Sequence, residues 1–270
     1  MAQFLILGAG FTAGRVARRL VAAGADVVVT NRQRTQISGA RSVALDVTTP
    51  ASLPGLRPFL ANGTVILHSI PMLAGTPELV AFLRPFRPAR MVYLSTTGVY
   101  GPAERVDEQT VPDPQTDKDR QRRESETVLS EGLWSTMVLR PAAIYGPGRG
   151  VHWSARQSTF RPPPGNPIVS RIHVDDLADH AVRALQSEAT GAFPVADEEP
   201  CPSVEVAEWT CAYLGIPFVA GAVEESKGGR SVNGSAVRAI LGIQLRYRSF
   251  REGVVACLDQ EGAGRGPLRA

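Results

Sequence analysis

Lysine is nearly missing from this chain of 270 residues, although positive charge is not. Lysine and arginine together number 29, and the only lysines are Lys118 and Lys227. Any mechanism that needs a catalytic lysine therefore has two candidates. Because 26 acidic residues oppose the basic ones, the formal net charge is only +3. So small an excess argues against a nucleic-acid-binding protein, which would carry a clustered basic face, and it is compatible with an anionic small-molecule cofactor.

Cysteine is also scarce. Cys201, Cys211 and Cys257 are odd in number, far apart and form no CxxC pair. We therefore expect neither a disulfide framework nor a zinc site. Four scattered histidines add no metal-ligand spacing, so no metal site is predicted. Three reduced thiols are typical of a cytoplasmic protein.

Long apolar runs are absent as well, since no segment reaches the ~18 apolar residues of a membrane span. The apolar start, Phe4–Leu7, has no basic stretch before it and runs directly into glycines. It is interpreted as a first strand rather than a signal peptide. We therefore expect a cytoplasmic protein without a membrane partner. At 43% hydrophobic and 20% charged residues, the composition is that of a globular protein.

Short apolar runs alternate with helix and turn patterns through the first half of the chain. The predicted strands are Phe4–Leu7, Asp26–Thr30, Ser42–Leu45, Thr64–His68, Met91–Ser95 and Trp134–Arg140. Such alternation predicts βαβ units, and hence an α/β fold with a doubly wound parallel (Rossmann) sheet.

The alternation weakens after about residue 147. Later predicted elements are a helix at Asp176–Gln186, a strand at Ala192–Val195, and helices at Ser203–Leu214 and Phe250–Leu258. We predict a dinucleotide-binding core at 1–148, and a small C-terminal substrate subdomain at 149–258 from which some elements return to the core. A flexible tail is expected at 259–270.

A glycine-rich loop follows the first predicted strand. Its residues have the spacing G-x-G-x-x-A: Gly8, Ala9, Gly10, Phe11, Thr12 and Ala13. In this motif the first glycine allows a tight turn, the second lets the backbone approach a pyrophosphate, and the alanine keeps the next helix close to the strand. The helix N-terminus offers free N–H groups to phosphates. The loop therefore predicts a bound dinucleotide, and the alternative is a glycine turn in an α/β fold that binds none.

The end of the second predicted strand distinguishes two dinucleotides. An NAD site usually carries Asp or Glu there for the ribose 2′-OH, whereas this chain has Asn31 and Arg32, with Arg34 nearby. A carboxylate would repel a 2′-phosphate, while asparagine and arginine can bind it. Asp26 stands at the wrong end of the strand. These residues predict NADP rather than NAD, and the alternative for Arg32 is a solvated loop arginine.

Four further segments resemble the extended or atypical branch of the short-chain dehydrogenase/reductase superfamily, the NAD-dependent epimerase/dehydratase-like proteins. They are Asp46-Val47 after the third strand, Leu94–Gly101 (similar to "SSxxVYG"), Leu139–Gly148 (similar to "LRPxxIYGPG") and Arg171–Ala178 (similar to "HVDD" before a helix). They occur in the family's order, and the resemblance covers roughly residues 3–258.

The resemblance implies a role for each matching residue. The pyrophosphate would be held by Gly8, Gly10 and Ala13, with Phe11 and Thr12 in the same loop. The adenosine phosphate would be held by Asn31 and Arg32, and the adenine would be bordered by Asp46 and Val47. The ribose would be lined by Ser69 and Ile70, and the nicotinamide would be bordered by Pro141 to Tyr145. Thr96 takes the family's catalytic Ser/Thr position, and the segments after Gly148 would cover the substrate.

The family's catalytic Tyr-x-x-x-Lys pair is missing, since no tyrosine here has a lysine four residues later. If Glu126 matches the family's acidic residue after that pair, Lys118 takes the tyrosine position and Arg122 the lysine position. An offset of two puts Thr116 and Arg120 there instead. Arginine can hold the ribose as a fixed charge but cannot donate a proton. Lys118 could donate one only if it were buried beside the arginines; the alternative is a solvated lysine.

His173 precedes two acidic residues, Asp175 and Asp176. Because aspartate is a preferred cap of a helix N-terminus, we predict that one of the two caps the following helix. His173 is then structural rather than a member of a catalytic His–Asp pair.

Two functions stay open. The first is an NADP-dependent oxidoreductase or epimerase-like enzyme acting on a small carbonyl, hydroxyl or sugar-like substrate, with Thr96 polarising the substrate oxygen and Lys118, Thr97 or water supplying the proton. The second is a catalytically silent NADP(H)-binding sensor or regulatory protein. The missing Tyr–Lys pair favours the second function, and the retained Thr96 favours the first. The substrate cannot be predicted from the loops, and formation of a homodimer is left open.

Overall fold

The computed structural model describes residues 3–32, 36–71, 75–160, 165–218 and 229–262. Arg34 and Lys227 therefore lie outside the described residues, as does the tail from residue 263 onward. In chain order the strands are β1 (Gln3–Leu7), β2 (Asp26–Asn31), β3 (Arg41–Ala44), β4 (Val65–His68), β5 (Arg90–Leu94), β6 (Arg105–Val106), β7 (Ser135–Pro141), β8 (Ala143–Tyr145), β9 (Ile168–Val169), β10 (Arg171–His173), β11 (Gly191–Val195), β12 (Cys201–Pro202) and β13 (Ser231–Val232).

The helices lie mainly between these strands. They are α1 (Ala13–Ala22), α2 (Thr76–Leu83), α3 (Asp117–Ser130), α4 (Val151–Arg156), α5 (Val174–Gln186), α6 (Ser203–Leu214), α7 (Ser235–Leu241) and α8 (Phe250–Gln260), with 3-10 helices at Pro50–Phe59, Arg84–Phe86 and Thr97–Tyr100. Within the described parts of the chain, no helix is long and apolar enough to cross a membrane.

Seven strands form one parallel sheet in the order β11-β7-β5-β4-β1-β2-β3. The predicted α/β class and doubly wound sheet are confirmed. The central strand β1 is apolar throughout Phe4–Leu7 because parallel strands are covered on both faces. On one face α1, α5 and α7 bury a cluster that includes Val16, Leu177 and Val237. On the other, α2, α3 and the first 3-10 helix cover a second cluster.

The predicted strands of the sheet are found within about a residue of their expected ends. The helix at Ser203–Leu214 is confirmed as predicted, and the last helix runs two residues further, to Gln260. The helix predicted to start at Asp176 starts earlier, at Val174, because the residue that caps it is not the one expected.

The second half of the chain contributes both to the main sheet and to small strand pairs outside it. β11 joins the main sheet beside β7, and α5 packs against α1. Three two-stranded pairs stand apart from that sheet: β8 with β10, β9 with β12, and β6 with β13. β6 follows β5 and β8 follows β7 along the chain, and residues of β8, β9 and β13 line one cavity.

Candidate functional site

The carboxyl ends of the parallel strands meet at one edge of the sheet. The chain leaves β1 toward β2 on one side and leaves β4 toward β5 on the other, so the loops after these neighbouring strands diverge. A crevice at such a switch point is where open α/β sheets bind ligands. The glycine loop follows β1 there, and Ser69 and Ile70 follow β4.

The glycine loop is built for close approach. Gly8 has a φ of 88°, and a Cβ on it would lie 2.5 Å from Cγ1 of Ile70. The N–H groups of Gly8 and Ala9 donate to the carbonyl of Thr30 at 3.2 and 3.0 Å, which ties the loop to β2. A Cβ on Gly10, in contrast, would meet no atom within 4 Å. Gly8 is therefore needed by the fold, whereas the space above Gly10 is open for a ligand.

Helix α1 presents unpaired donors to this space. Among the described residues, the N–H groups of Phe11, Thr12 and Ala13 make no hydrogen bond, and Thr12 does not cap the helix with its side chain. No acidic residue stands in the first turn. Two guanidinium groups approach the Phe11 ring, those of Arg15 and Arg149, at 4.4 and 5.4 Å from its centroid. Free N–H groups and positive charge fit a phosphate at this point.

The residues expected at the adenosine lie on one side of this loop. Asn31 ends β2, and Arg32 follows it with an exposed side chain. Asp46 accepts the Thr48 hydroxyl at 2.6 Å and its N–H at 3.0 Å. These bonds, with a smaller effect of Arg32, hold the pKa of Asp46 below its ordinary value. Arg32 and Asp46 therefore share this end of the crevice, with Val47 buried beside them.

The loop after β4 closes the crevice from the other side. Ser69 donates its N–H to the carbonyl of Leu7 at 3.0 Å, and the side chain of Ile70 lies over Gly8. His68, the last residue of β4, accepts the N–H of Ile70 at 3.3 Å. It is fully buried, and this burial lowers its pKa to about 3. His68 therefore shapes the loop as a neutral ring.

Thr96 lies where β5 ends. Its hydroxyl oxygen accepts the N–H of Gly98 at 3.1 Å and so caps the 3-10 helix Thr97–Tyr100. Because that bond uses a lone pair, the hydroxyl proton stays available to a substrate oxygen.

A cavity of about 590 Å³ lies beside the loop that follows Thr96. The neighbouring Thr97 lines it, together with Ala142, Ser170 and Arg230. Arg230 donates to the carbonyl of Ala103 at 3.1 Å and also to those of Thr97 and Gly101. This arginine therefore connects the segment before β13 to the loop that follows Thr96.

Helix α3 carries the positions expected for the missing pair. Glu126 is buried and accepts two hydrogen bonds from Arg140, at 3.0 and 2.6 Å. Thr116 instead caps α3 by accepting the N–H of Asp119. This geometry favours the alignment that places Lys118 and Arg122 at the Tyr and Lys positions.

The side chains at these two positions differ in their surroundings. Lys118 is exposed and does not line the cavity beside Thr97. Of the two alternatives for Lys118, the structure therefore shows the solvated lysine and not the one buried beside the arginines. Arg122 is half-buried near Tyr93, where burial raises the pKa of that phenol to about 12 and the charge of Arg122 opposes the rise.

Three nearby phenols do not replace the missing tyrosine. Tyr93 is buried in the core. Tyr100 accepts a hydrogen bond from Arg140 at 3.1 Å. Tyr145 donates its hydroxyl to the carbonyl of Ser249 at 3.3 Å, and burial raises its pKa. Its ring packs against α8, so only the main chain of Tyr145 is left for contact with a nicotinamide.

His173 corrects a prediction. Its Nδ1 accepts the N–H of Asp175 at 3.1 Å, so this histidine caps α5 and the predicted aspartate cap is wrong. Asp175 pairs with Arg19 at 3.1 Å, while Asp176 accepts two backbone N–H groups of the segment before α8. Both carboxylates have long-range partners, which a local capping rule does not include.

Comparison with known proteins agrees with this geometry. A sequence model of the NAD-dependent epimerase/dehydratase family matches residues 72–196. A solved structure from Methylobacillus flagellatus, whose description as an NAD-dependent epimerase/dehydratase is provisional, is 26% identical with a TM-score of 0.83. The alignment covers 97% of this chain and 99% of that one.

The family model covers slightly less than half of the chain, whereas the structural likeness extends over nearly all of it. UDP-glucose 4-epimerase from Thermus thermophilus, solved in complex with NAD, has the same fold, with a TM-score of 0.81 at 19% identity over 97% of this chain and 100% of that one.

A curated relative lies closer in sequence over a shorter stretch. The 3-diazoavenalumate denitrifying reductase of a Streptomyces species is 36% identical over 107 residues, which are 35% of this chain and 33% of the reductase. The alignment thus spans about a third of that relative. The family match begins at residue 72, so Thr96, Lys118 and Arg122 lie inside it and the glycine loop does not.

Proposed function

We propose that this protein is a member of the NAD-dependent epimerase/dehydratase family, and that it is an NADP(H)-dependent oxidoreductase that interconverts a small carbonyl compound and its alcohol, with Thr96 orienting the substrate oxygen. The observation that carries the proposal is that an open, unpaired phosphate cradle and a half-buried Thr96 hydroxyl lie at the same edge of one sheet, and that the next residue, Thr97, lines a large cavity. The open space above Gly10 has no structural role in the fold, and the Thr96 hydroxyl keeps a free proton beyond its role as a cap.

The chain's own groups would bind the cofactor in three sections. The N–H groups of Phe11, Thr12 and Ala13 would hold the pyrophosphate, and Asn31 with Arg32 the 2′-phosphate. Following the family resemblance, Asp46 and Val47 would border the adenine, Ser69 and Ile70 the ribose, and Pro141 with the main chain of Tyr145 the nicotinamide. When bound, the nicotinamide would supply or accept the hydride.

The proton must come from elsewhere. Reduction of a carbonyl needs one hydride and one proton. The Thr96 hydroxyl accepts the N–H of Gly98 and can at the same time donate a hydrogen bond to the substrate oxygen. Arg122 cannot release a proton at ordinary pH, so it would act as a fixed charge. The proton therefore reaches the substrate oxygen from water through Thr96, and the exposed Lys118 is the competing donor.

One observation favours a second function. The three phenols considered above are buried or engaged, and Lys118 is exposed, so among the described residues no strong proton donor stands beside Thr96. Such a site suits a catalytically silent NADP(H)-binding sensor, in which cofactor binding rather than turnover is the output.

One experiment separates the two. NADPH binding is measured by fluorescence titration, and NADPH oxidation is then followed with aldehydes, ketones and nucleotide sugars. Turnover with any class supports the enzyme. Tight binding without turnover on all three classes supports the sensor, and absence of binding contradicts both.

A further inference from the structure

A second, smaller cavity adjoins the first at β8 and β9. We call it the Arg171 cavity. It has a volume of about 190 Å³ and shares Ala143 and Val169 with the larger cavity. Most of its wall is apolar, with contributions from Ile144, Val151, Val206, Phe250 and Val254. For comparison, an engineered apolar cavity of about 150 Å³ holds a benzene molecule, so a single aromatic ring fits here.

One residue of this wall is a buried cation. Arg171 is 8% exposed, and its Nη1 donates to the carbonyl of Val169 at 2.8 Å. Among the described residues, its guanidinium makes no other hydrogen bond and no ion pair within 4.0 Å. A buried charge is costly unless it is paired. The remaining donors of Arg171 therefore have capacity for an anion.

The acid whose charge acts most strongly on Arg171 is a weak counterion. Asp197 acts on it electrostatically, without a salt bridge, and is itself buried. Burial raises the pKa of Asp197 to about 7, so this carboxyl is only partly ionised at neutral pH. Arg171 thus lacks the full negative partner that a buried arginine usually has.

A second polar group of the wall is also short of partners. His152 is fully buried, and in the described part of the chain neither of its ring nitrogens makes a hydrogen bond. The closest acid, Glu261, lies 3.4 Å from its Nε2. That carboxylate already binds the N–H of Gly148 and the guanidinium of Arg156. Two under-used polar groups thus border one apolar space.

We propose that the Arg171 cavity binds a small carboxylate of about benzoate size, with the carboxylate on Arg171 and the ring against Val206, Phe250 and Val254. The inference goes beyond the proposed function, because it requires neither the cofactor nor Thr96. Apolar walls with a few placed polar groups are the usual composition of a ligand pocket. Guanidinium groups bind carboxylates with strong, directional hydrogen bonds.

The larger cavity is a poorer site for the same ligand. Its arginine, Arg230, is also partly buried, but its guanidinium already donates hydrogen bonds to the carbonyls of Thr97, Gly101 and Ala103. A carboxylate there would have to displace these contacts.

The probe is 4-fluorobenzoate, followed by 19F NMR during titration with the full-length protein. We expect binding with a dissociation constant below about 1 mM, and binding of neutral 4-fluorobenzyl alcohol at least about tenfold weaker. Arg171→Met should weaken 4-fluorobenzoate binding at least about tenfold. Arg248→Met is the matched control, since Arg248 is an exposed arginine on the same half of the chain, and it should bind as the wild type does.

A second variant keeps the test decisive if Arg171→Met does not fold. Val206→Phe fills the cavity without removing the charge, and it should abolish 4-fluorobenzoate binding while the protein stays folded. The proposal is overturned if the wild type does not bind at about 10 mM probe, if Arg171→Met binds as tightly as the wild type, or if folded Val206→Phe still binds.

Discussion

The two ends of the crevice differ in which functional groups they contain. After β1, every feature that phosphate binding needs is present: the turn at Gly8, open space at Gly10 and unpaired N–H groups at the start of α1. After β5, the frame is present, with Thr96 and the buried Glu126–Arg140 pair, but the phenol and lysine are not. Phosphate binding relies on backbone groups and turns, whereas proton transfer relies on one particular side chain. The second can therefore be lost while the first persists.

The largest expected effect is a loss of stability when the Glu126–Arg140 pair, in the region after β5, is broken. Glu126→Ala leaves Arg140 buried without its partner, which should cost about 3–5 kcal/mol of stability. Thermal and urea unfolding measure it. Glu124→Ala, two residues away and exposed, is the control and should change stability by less than about 0.5 kcal/mol. Equal losses in both variants would mean that the pair does not hold α3 to the sheet.

The next effect tests the first region. Gly10→Val places a side chain in the open space, so NADPH binding should weaken at least about 100-fold, or about 2.7 kcal/mol, with little change in Tm. Gly8→Val should lower Tm as well, because of its positive φ and the contact with Ile70. Unchanged NADPH affinity in Gly10→Val would place the cofactor elsewhere.

Thr96→Val tests whether the second region is active. Valine keeps the shape but lacks the hydroxyl, so kcat should fall about 100-fold while NADPH affinity is retained. Steady-state kinetics and fluorescence titration measure the two quantities. Retained kcat would remove Thr96 from the mechanism.

Arg32→Ala asks which dinucleotide the first region prefers. If Arg32 binds a 2′-phosphate, NADPH affinity should fall about tenfold, while NADH affinity stays the same. Arg41→Ala is the control, because Arg41 pairs with Asp26 at the other end of β2. Equal affinity of the wild type for NADPH and NADH would contradict the predicted preference for NADP.

The smallest effect is expected at Lys118. Because its side chain is exposed, Lys118→Met should change kcat by less than about threefold and leave NADPH binding intact. A pH profile of kcat is the informative measurement. A large loss of kcat with unchanged binding would instead make Lys118 the proton donor and would narrow the difference between the two regions.

Much of the fold and of the crevice at the glycine loop could be predicted, because their signals are local. Apolar runs such as Phe4–Leu7 specify buried parallel strands, and the glycine spacing specifies a turn before a helix. The cap of α5 could not be predicted in the same way. His173 takes that place because Asp175 and Asp176 bind groups far away along the chain.

The sequence by itself determined the sheet, the glycine loop and the absence of any Tyr-x-x-x-Lys pair, since each depends on residue identity at short spacing. Only the tertiary structure decided that Lys118 faces solvent, that Arg230 holds the Thr96 loop, and that Arg171 lies buried beside an apolar cavity. Those outcomes depend on which distant segments pack together, because burial and the choice of hydrogen-bond partners are properties of the assembled chain.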